Sequence, residues 1–377
     1  MRIVHFSDTH LGFSEFNRVD PATGLNAREI DVYNAFENAV QTSIVLKPDL
    51  VIHAGDLFHT PRPSNRAIFK GLEGLKKLVD AGIPTVVIAG NHSTPRVLSS
   101  GFIFETSNLL GIHAVYGSQS QVLQIGDVAV HCVPHVPTTQ ALREALGDLK
   151  PDHRAKHNIL VVHAGIRGSG EEYSLGEFNE VLLNQETVDN LRDFDYIALG
   201  HYHRHLQVAS NAYYSGSTER FSFREAGYDK GVVEVDLETK KPKFHPIVCR
   251  EMVLLKSINC RNKSAARIMS EVEALLTSAA PLDDKILRLT FEHLHPTTWF
   301  EIDQKQIRQW STDAFELRIE KMFTESESVQ EQVTSIGGLA AEFSAYIKRA
   351  KLEGLSQERL RVLGEEYLTR AEEEETE

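Results

Sequence analysis

Five short apolar runs of this chain each end in a histidine, an aspartate or an asparagine, and no other feature constrains its fold as strongly. The runs cover residues 3–6, 49–54, 84–89, 158–162 and 195–199. They predict buried strands, with amphipathic helices at residues 31–47 and 64–81 between the first three. This alternation indicates an α/β fold with parallel strands, whose polar loops gather at the carboxyl ends of the strands.

The middle of the chain predicts a second sheet. Residues 122–125 and 128–133 form a predicted hairpin, and residues 211–215 and 231–237 are expected to add strands to this sheet. Two sheets with helices on their outer faces make a four-layered α/β/β/α sandwich over residues 1–250. The buried helix faces are expected to consist of Phe36, Val40 and Ile44 in the first helix and Ile68, Leu72, Leu75 and Val79 in the second.

Composition narrows the class of protein. The 377 residues are 41% hydrophobic and 25% charged, which is typical of a globular protein, and no run reaches the ~18 apolar residues of a membrane span. We therefore expect a cytoplasmic protein that does not use a membrane. Three scattered cysteines argue against a disulfide framework and against a cysteine-based zinc site. The net charge of −13 means that a nucleic-acid substrate would require a local basic surface.

The polar side chains that follow the strands have the chemistry of metal ligands. They are Asp8, His10, Asp56, Asn91, His163, His201 and His203. Carboxylate, amide and imidazole groups without a thiolate suit Mn²⁺, Fe²⁺ or Zn²⁺ better than Ca²⁺. Seven ligands are too many for one such ion, whereas two ions about 3.5–4 Å apart would suit phosphoryl transfer. Asp56 is the natural carboxylate to bridge them.

The order of these residues resembles the calcineurin-like metallophosphoesterase superfamily. Its motifs occur here as Asp8-Thr9-His10, Gly55-Asp56, Gly90-Asn91-His92, His163 and Gly200-His201-Tyr202-His203. The resemblance implies two divalent ions, which we expect to be Mn²⁺. It places Asp8, His10 and His203 on one ion, Asn91, His163 and His201 on the other, and Asp56 on both.

The same resemblance gives His92 a catalytic role. His92 would stabilise the charge of the transition state or protonate the leaving oxygen. Ser93 stands where the family usually carries an acid that favours the protonated form of this histidine.

Finer features are similar to the SbcD branch, the nuclease subunit of a prokaryotic double-strand-break repair complex. They are the run from Gly55 to His59 followed by Arg62-Pro63-Ser64, the run from His131 to His135, and the run from Gly216 to Arg220. This similarity implies a Mn²⁺-dependent DNA exonuclease and endonuclease in which His59 positions DNA. Candidates for the basic surface are Arg62, Arg66, Arg167, Arg204, Arg220 and Arg224.

The rest of the chain divides into two predicted parts. Residues 251–324 resemble the capping domain of that family, a βαβαβ unit. Its expected elements are strands 252–260, 285–293 and 314–323 and helices 264–278 and 300–310.

Residues 325–377 form a linker and a helical pair. Its apolar faces consist of Leu339, Phe343, Tyr346 and Ile347 in one helix and Leu360, Leu363 and Tyr367 in the other. The resemblance implies docking on the coiled coil of an SMC-like ATPase of the SbcC type, although the pair could instead pack on the capping domain. Relatives dimerise through helices of the nuclease domain, for which residues 31–47 and 64–81 are candidates.

Several alternatives remain open at this point. His5, His53 and His113 are interpreted as structural, because they lie in or beside apolar runs. His153 and His157 are expected in a solvated loop. The same fold could hydrolyse small phosphodiesters or phosphoproteins, or it could serve as a mainly architectural subunit of the ATPase complex.

Overall fold

The computed structural model describes residues 1–94, 103–167 and 180–324, with isolated positions in the tail (343, 347, 359, 360, 362–364 and 367). The strands, in chain order, are β1 (Arg2–Phe6), β2 (Leu50–His53), β3 (Thr85–Ile88), β4 (His113–Val115), β5 (Gln121–Ile125), β6 (Val128–Val133), β7 (His157–His163), β8 (Gly165–Arg167), β9 (Leu182–Asn184), β10 (Tyr196–Gly200), β11 (Leu206–Ala209), β12 (Ala212–Tyr214), β13 (Gly231–Asp236), β14 (Lys241–Pro246), β15 (Met252–Leu254), β16 (Ile258–Asn259), β17 (Ile286–Leu294) and β18 (Glu316–Phe323). The helices are α1 (Ala27–Leu46), α2 (Asn65–Asp80), α3 (Glu105–Asn108), α4 (Thr139–Gly147), α5 (Gln185–Asp189), α6 (Ala265–Ser278), α7 (Pro296–Glu301) and α8 (Gln304–Trp310).

Two six-stranded sheets pack face to face and carry helices on their outer faces. The first has the order β14-β13-β1-β2-β3-β4 and the second the order β11-β12-β10-β7-β6-β5. Between them lies a core to which both sheets contribute, with Ile52 on one side and Val130 on the other. Separate cores join α1 and α2 to the first sheet and α4 and α5 to the second. The predicted four-layered α/β/β/α sandwich is therefore confirmed.

The predicted strand 231–237 lies in the other sheet from the one we expected. It forms β13, which pairs antiparallel with β1, with Val4 opposite Glu234. Residues 211–215 contribute β12, which pairs parallel with β10 in the second sheet as expected. The sequence pattern identifies both strands, but partner choice depends on long-range packing that a local pattern does not contain.

Helix α1 begins four residues earlier than predicted, because the side chain of Asn26 caps it by accepting from the amides of Arg28 and Glu29. The buried face of α2 also differs from the prediction. Gly74 lies on it, where an added β-carbon would be 2.3 Å from the ring of Phe36. Small residues allow close helix packing but are invisible to a search for apolar periodicity.

In the C-terminal part, the predicted strand 252–260 is divided into β15 and β16, and the predicted helix 300–310 into α7 and α8. Asp303 causes the second division, since its carboxylate accepts from the amides of Lys305 and Gln306 and starts a new helix. Strand β15 pairs parallel with β17.

Contacts divide the chain into two compact units. One consists of residues 1–258, 269–290 and 303–320, and the other of residues 259–268, 291–302 and 321–377. The boundaries predicted at residues 250 and 324 stay predictions. Among the described residues, no helix has the length and apolar character needed to cross a membrane.

The tail is described at few positions, all of them helical. Among these positions, Phe343 and Gly364 are in direct contact. Ile347 is buried, whereas Leu363 is 49% and Tyr367 66% exposed. Leu339 and Tyr346 lie outside the described residues.

Candidate metal centre

The predicted ligands all lie at the carboxyl ends of strands in the two sheets. The first sheet supplies Asp8 and His10 after β1, Asp56 after β2 and Asn91 after β3, and the second supplies His163 from β7 and His201 and His203 after β10. All except His203, which retains a little exposure, are almost completely buried. Such a density of buried polar groups is typical of a functional site, because burying polar groups is costly.

The backbone of this site is strained. Asp8, His10, Asp56 and His201 have positive φ angles of 52°, 45°, 53° and 108°. Residues with a β-carbon rarely adopt this region, and such strain is typical of functional sites. Gly90 is required for a different reason, since an added β-carbon would lie 2.2 Å from Oδ1 of Asp56.

One group of ligand atoms centres on His10 and His203. Their Nε2 atoms lie 3.1 Å apart, and both residues share a compact group with Asp8. Burial lowers the pKa of His10 well below its ordinary value, so this ring is neutral and presents a lone pair. Nitrogen atoms that face each other beside a carboxylate fit a cation between them.

A second group centres on His163. Its Nε2 lies 3.2 Å from Oδ2 of Asp56 and 2.9 Å from Oδ1 of Asn91, while its Nδ1 donates to the carbonyl of Ala54 at 2.9 Å. Burial alone would lower the pKa of His163, but the charges of Asp56 and Asp8 raise it to about 9. A proton therefore occupies the position on Nε2 that a cation would take.

His201 differs from His163 in the ring nitrogen that it would offer to a cation. Its Nε2 lies 3.2 Å from Oε1 of Glu180, and its main-chain amide donates to the carboxylate of Asp8. Coordination by His201 would therefore use Nδ1. Together, the seven residues offer a donor set that fits divalent cations, as the sequence predicts.

Sequence reasoning missed the residues behind His203. Nδ1 of His203 donates to Oε1 of Glu225 at 3.1 Å, which directs Nε2 toward His10. The buried ammonium of Lys230 donates to Glu225, to the Ser217 hydroxyl and to the His203 carbonyl. Burial alone would raise the pKa of Glu225, but Lys230 and His203 hold it at about 2. A lysine and a glutamate five residues apart in a loop carry no local signal that could have identified this pair.

His59 and His92 lie together beside His10. Nδ1 of His92 donates to the carbonyl of His59 at 2.8 Å, and their rings stack with centroids 5.3 Å apart. Nδ1 of His59 lies 3.5 Å from Nδ1 of His10. Ser93 is buried, and its hydroxyl has no hydrogen-bond partner among the described residues. His92 is thus oriented by a main-chain carbonyl.

The predicted basic surface needs one correction. Arg220 is only 9% exposed, and its guanidinium donates to the carbonyls of Tyr228 and Arg250, so it is a structural residue that DNA cannot reach. Arg62, Arg66, Arg167, Arg204 and Arg224 are exposed. Of these, Arg224 lines a cavity of about 340 Å³ together with His10, His59, His92 and His203.

Three further histidines are not among the predicted metal ligands. His5 and His53 are fully buried, and burial lowers the pKa of each to about 3. His157 is not in a solvated loop as expected. It begins β7, is 6% exposed and lies 3.3 Å from Glu238.

Relatives of the chain carry one recurring name. A protein named DNA double-strand break repair protein Mre11 from Sulfurisphaera tokodaii is 32% identical over 209 residues, 54% of this chain and 49% of that protein. Proteins of the same name from Methanococcus maripaludis and Thermoplasma acidophilum are 25% and 26% identical, and each covers 94% of this chain. The alignments span 92% and 96% of those two proteins, but only about half of the first.

The family comparison agrees with the geometry. The model of the calcineurin-like phosphoesterase family matches residues 1–205, which contain the strand ends that carry all seven predicted ligands. This match confirms the resemblance predicted from the motifs. The chain belongs to the calcineurin-like phosphoesterase family.

Proposed function

We propose that this protein is a metal-dependent DNA nuclease that acts in double-strand-break repair. The observation that supports this most directly is a cluster of metal-type ligand atoms from Asp8, His10, Asp56, His163 and His203. It lies beside a cavity that is lined by His10, His59, His92 and His203. The names of the relatives, two of which align over nearly their whole length, supply the substrate class.

Two divalent ions, in our proposal Mn²⁺, would be held by the residues that the motifs indicate. Asp8, His10 and His203 would bind one ion, Asn91, His163 and His201 the other, and Asp56 would bridge both. When bound, the ions supply Lewis-acid chemistry and a water of lowered pKa for attack on the phosphodiester.

His92 is proposed to act on the leaving oxygen. Nδ1 of His92 donates to the His59 carbonyl, and His92 lines the cavity, so in this proposal Nε2 acts on the substrate. From this position it can donate a proton to the departing oxygen or a hydrogen bond to the developing charge. His59 is proposed to position DNA, and its ring supports that of His92.

The experiment compares linear DNA, small phosphodiesters and phosphopeptides as substrates of the purified protein with Mn²⁺. We expect hydrolysis of DNA, and His92→Ala to reduce its rate at least ~100-fold while two ions still bind. Arg154→Ala, an exposed position outside the cavity, serves as the control. Preference for phosphopeptides or small diesters would refute the DNA assignment, and near-normal turnover of His92→Ala would refute its role. Absence of any hydrolysis with retained partner binding would favour an architectural subunit.

The partner proposals concern two surfaces. The exposed Phe69 on α2 suits a homodimer of the nuclease domain. The exposed Leu363 and Tyr367 suit docking of the tail on an SMC-like ATPase. Deletion from residue 337 is expected to abolish co-purification of the ATPase and to spare the nuclease activity. Unchanged co-purification would refute the docking proposal. A cytoplasmic location likewise stays a prediction.

A further inference from the structure

The cavity beside the ligand cluster has an aromatic and cationic side that the proposed mechanism does not use. Its volume is about 340 Å³. Its lining consists of four histidines, His10, His59, His92 and His203, together with Phe13, Phe221, Ser222, Arg224 and Glu225. The Glu225 carboxylate is paired with Lys230 and His203. Phe13 and Phe221 are half-buried, because each also packs against the core of the first sheet.

Neighbouring rings fix the two phenylalanines. Phe13 and Phe221 contact each other edge to face, with centroids 5.0 Å apart and an interplanar angle of 71°. Phe13 also contacts His59 at 5.1 Å, and Phe221 contacts His10 at 4.9 Å. A rigid aromatic surface loses little conformational entropy when a flat ligand binds to it.

The chemistry of this side selects a class of ligand. Every nucleobase has a π face that stacks on an aromatic side chain, and an exposed arginine suits the neighbouring phosphate. A base inside a duplex is covered on both faces by its neighbours, so it can reach such a surface only after it has left the stack.

We propose that Phe13, Phe221 and Arg224 form a subsite for the nucleobase next to the scissile phosphodiester, which enters unpaired and unstacked. This inference rests on the proposed nuclease function and makes its substrate class more specific.

The test is a double-mutant cycle in which the aromatic side chain and the DNA base are removed separately and together. Cleavage by the wild-type protein with Mn²⁺ is first mapped on an oligonucleotide, and an abasic nucleotide is then placed on either side of the cleaved bond. We expect one of these substrates to raise KM about 5- to 160-fold, because base stacking on aromatic residues contributes about 1–3 kcal/mol. Phe221→Leu should cause a similar loss on the normal substrate but little further loss on the abasic one.

Two controls separate stacking from support of the metal ligands. Phe221→Tyr should restore KM, since it keeps the ring, and calorimetric Mn²⁺ titration of Phe221→Leu should still give two sites. Phe13→Leu provides a second variant if Phe221→Leu does not fold. Two results would overturn the inference and leave the nuclease function intact. One is an equal rise in KM of Phe221→Leu on normal and on abasic DNA. The other is a wild-type KM that neither abasic substrate raises. Failure of the wild-type protein to cleave any DNA would instead refute the proposed function.

Discussion

Glu225 is the carboxylate behind His203, and its neutralisation is expected to weaken one of the two proposed ion sites selectively. Glu225→Gln keeps the shape and the hydrogen-bonding capacity of the side chain but removes its charge. In the protein, that charge lies 3.1 Å from Nδ1 of His203 and holds Nε2 toward His10. An amide accepts this proton less strongly and can also turn its NH₂ group toward the ring.

The magnitude follows from the role and the burial of the pair. Outer carboxylates that orient a metal-binding histidine typically change metal affinity 10–100-fold, which corresponds to about 1.4–2.7 kcal/mol. Stability is also affected, since removal of one partner of a buried ion pair costs about 3–5 kcal/mol. Lys230 is fully buried, but it keeps the His203 carbonyl and the Ser217 hydroxyl as acceptors, so we expect the lower end of that range.

Calorimetric Mn²⁺ titration at neutral pH measures the effect directly. The site that contains His203 should weaken 10–100-fold, and the site that contains His163 should keep its affinity. The double variant Glu225→Gln with Lys230→Met is the matched control, because it removes the unpaired ammonium and restores stability without restoring the charge behind His203. Equal weakening of both sites, or recovery of affinity in the double variant, would refute the orienting role.

Three further outcomes are expected. A raised pKa keeps His163 protonated near neutral pH, so Mn²⁺ binding should release a proton. The affinity for Mn²⁺ should therefore increase as the pH rises toward 9. A calorimetric binding enthalpy that does not vary with the ionisation enthalpy of the buffer would contradict this expectation. His5 and His53 stay neutral in the folded state down to about pH 3, whereas the unfolded chain protonates near pH 6.5; stability should therefore fall by about 1.4 kcal/mol per pH unit for each histidine as the pH drops through this window. Urea unfolding at pH 7 and pH 5 measures that loss, and His53→Leu should reduce it by about 1.4 kcal/mol per pH unit. Phe69→Glu should convert the proposed dimer into a monomer in light scattering, whereas Phe300→Glu, at another exposed phenylalanine, should not.

The sequence predicts which polar side chains lie close together because its signal is local. Each apolar run ends in a residue of distinct chemistry, and the parallel arrangement brings those ends to one edge of each sheet. The strand pattern therefore predicts that Asp56 and Asn91 lie near His163. Their distances to Nε2 of His163, 3.2 and 2.9 Å, agree with that expectation.

Features that depend on distant partners could not be predicted. Arg220 belongs to a motif beside the site and looks like a DNA contact, yet its guanidinium is enclosed by carbonyls of residues eight and thirty positions away. Strand β13 has a clear strand pattern, but its pairing with β1 joins residues more than 200 positions apart. Local patterns identify the type of an element or side chain, and tertiary packing decides what it contacts.

The division of ligands between the two sheets connects the fold to the chemistry. Asp8, His10, Asp56 and Asn91 follow strands of the first sheet, while the remaining histidines follow strands of the second, so each proposed ion would have ligands from both. A cation that binds only when both sheets are packed stabilises that packing by mass action. The strained backbone at Asp8, His10 and Asp56 is a cost that the metal-free fold carries. Bound ions would satisfy the facing donors of both sheets, so we infer that the sandwich is more stable with metal than without it.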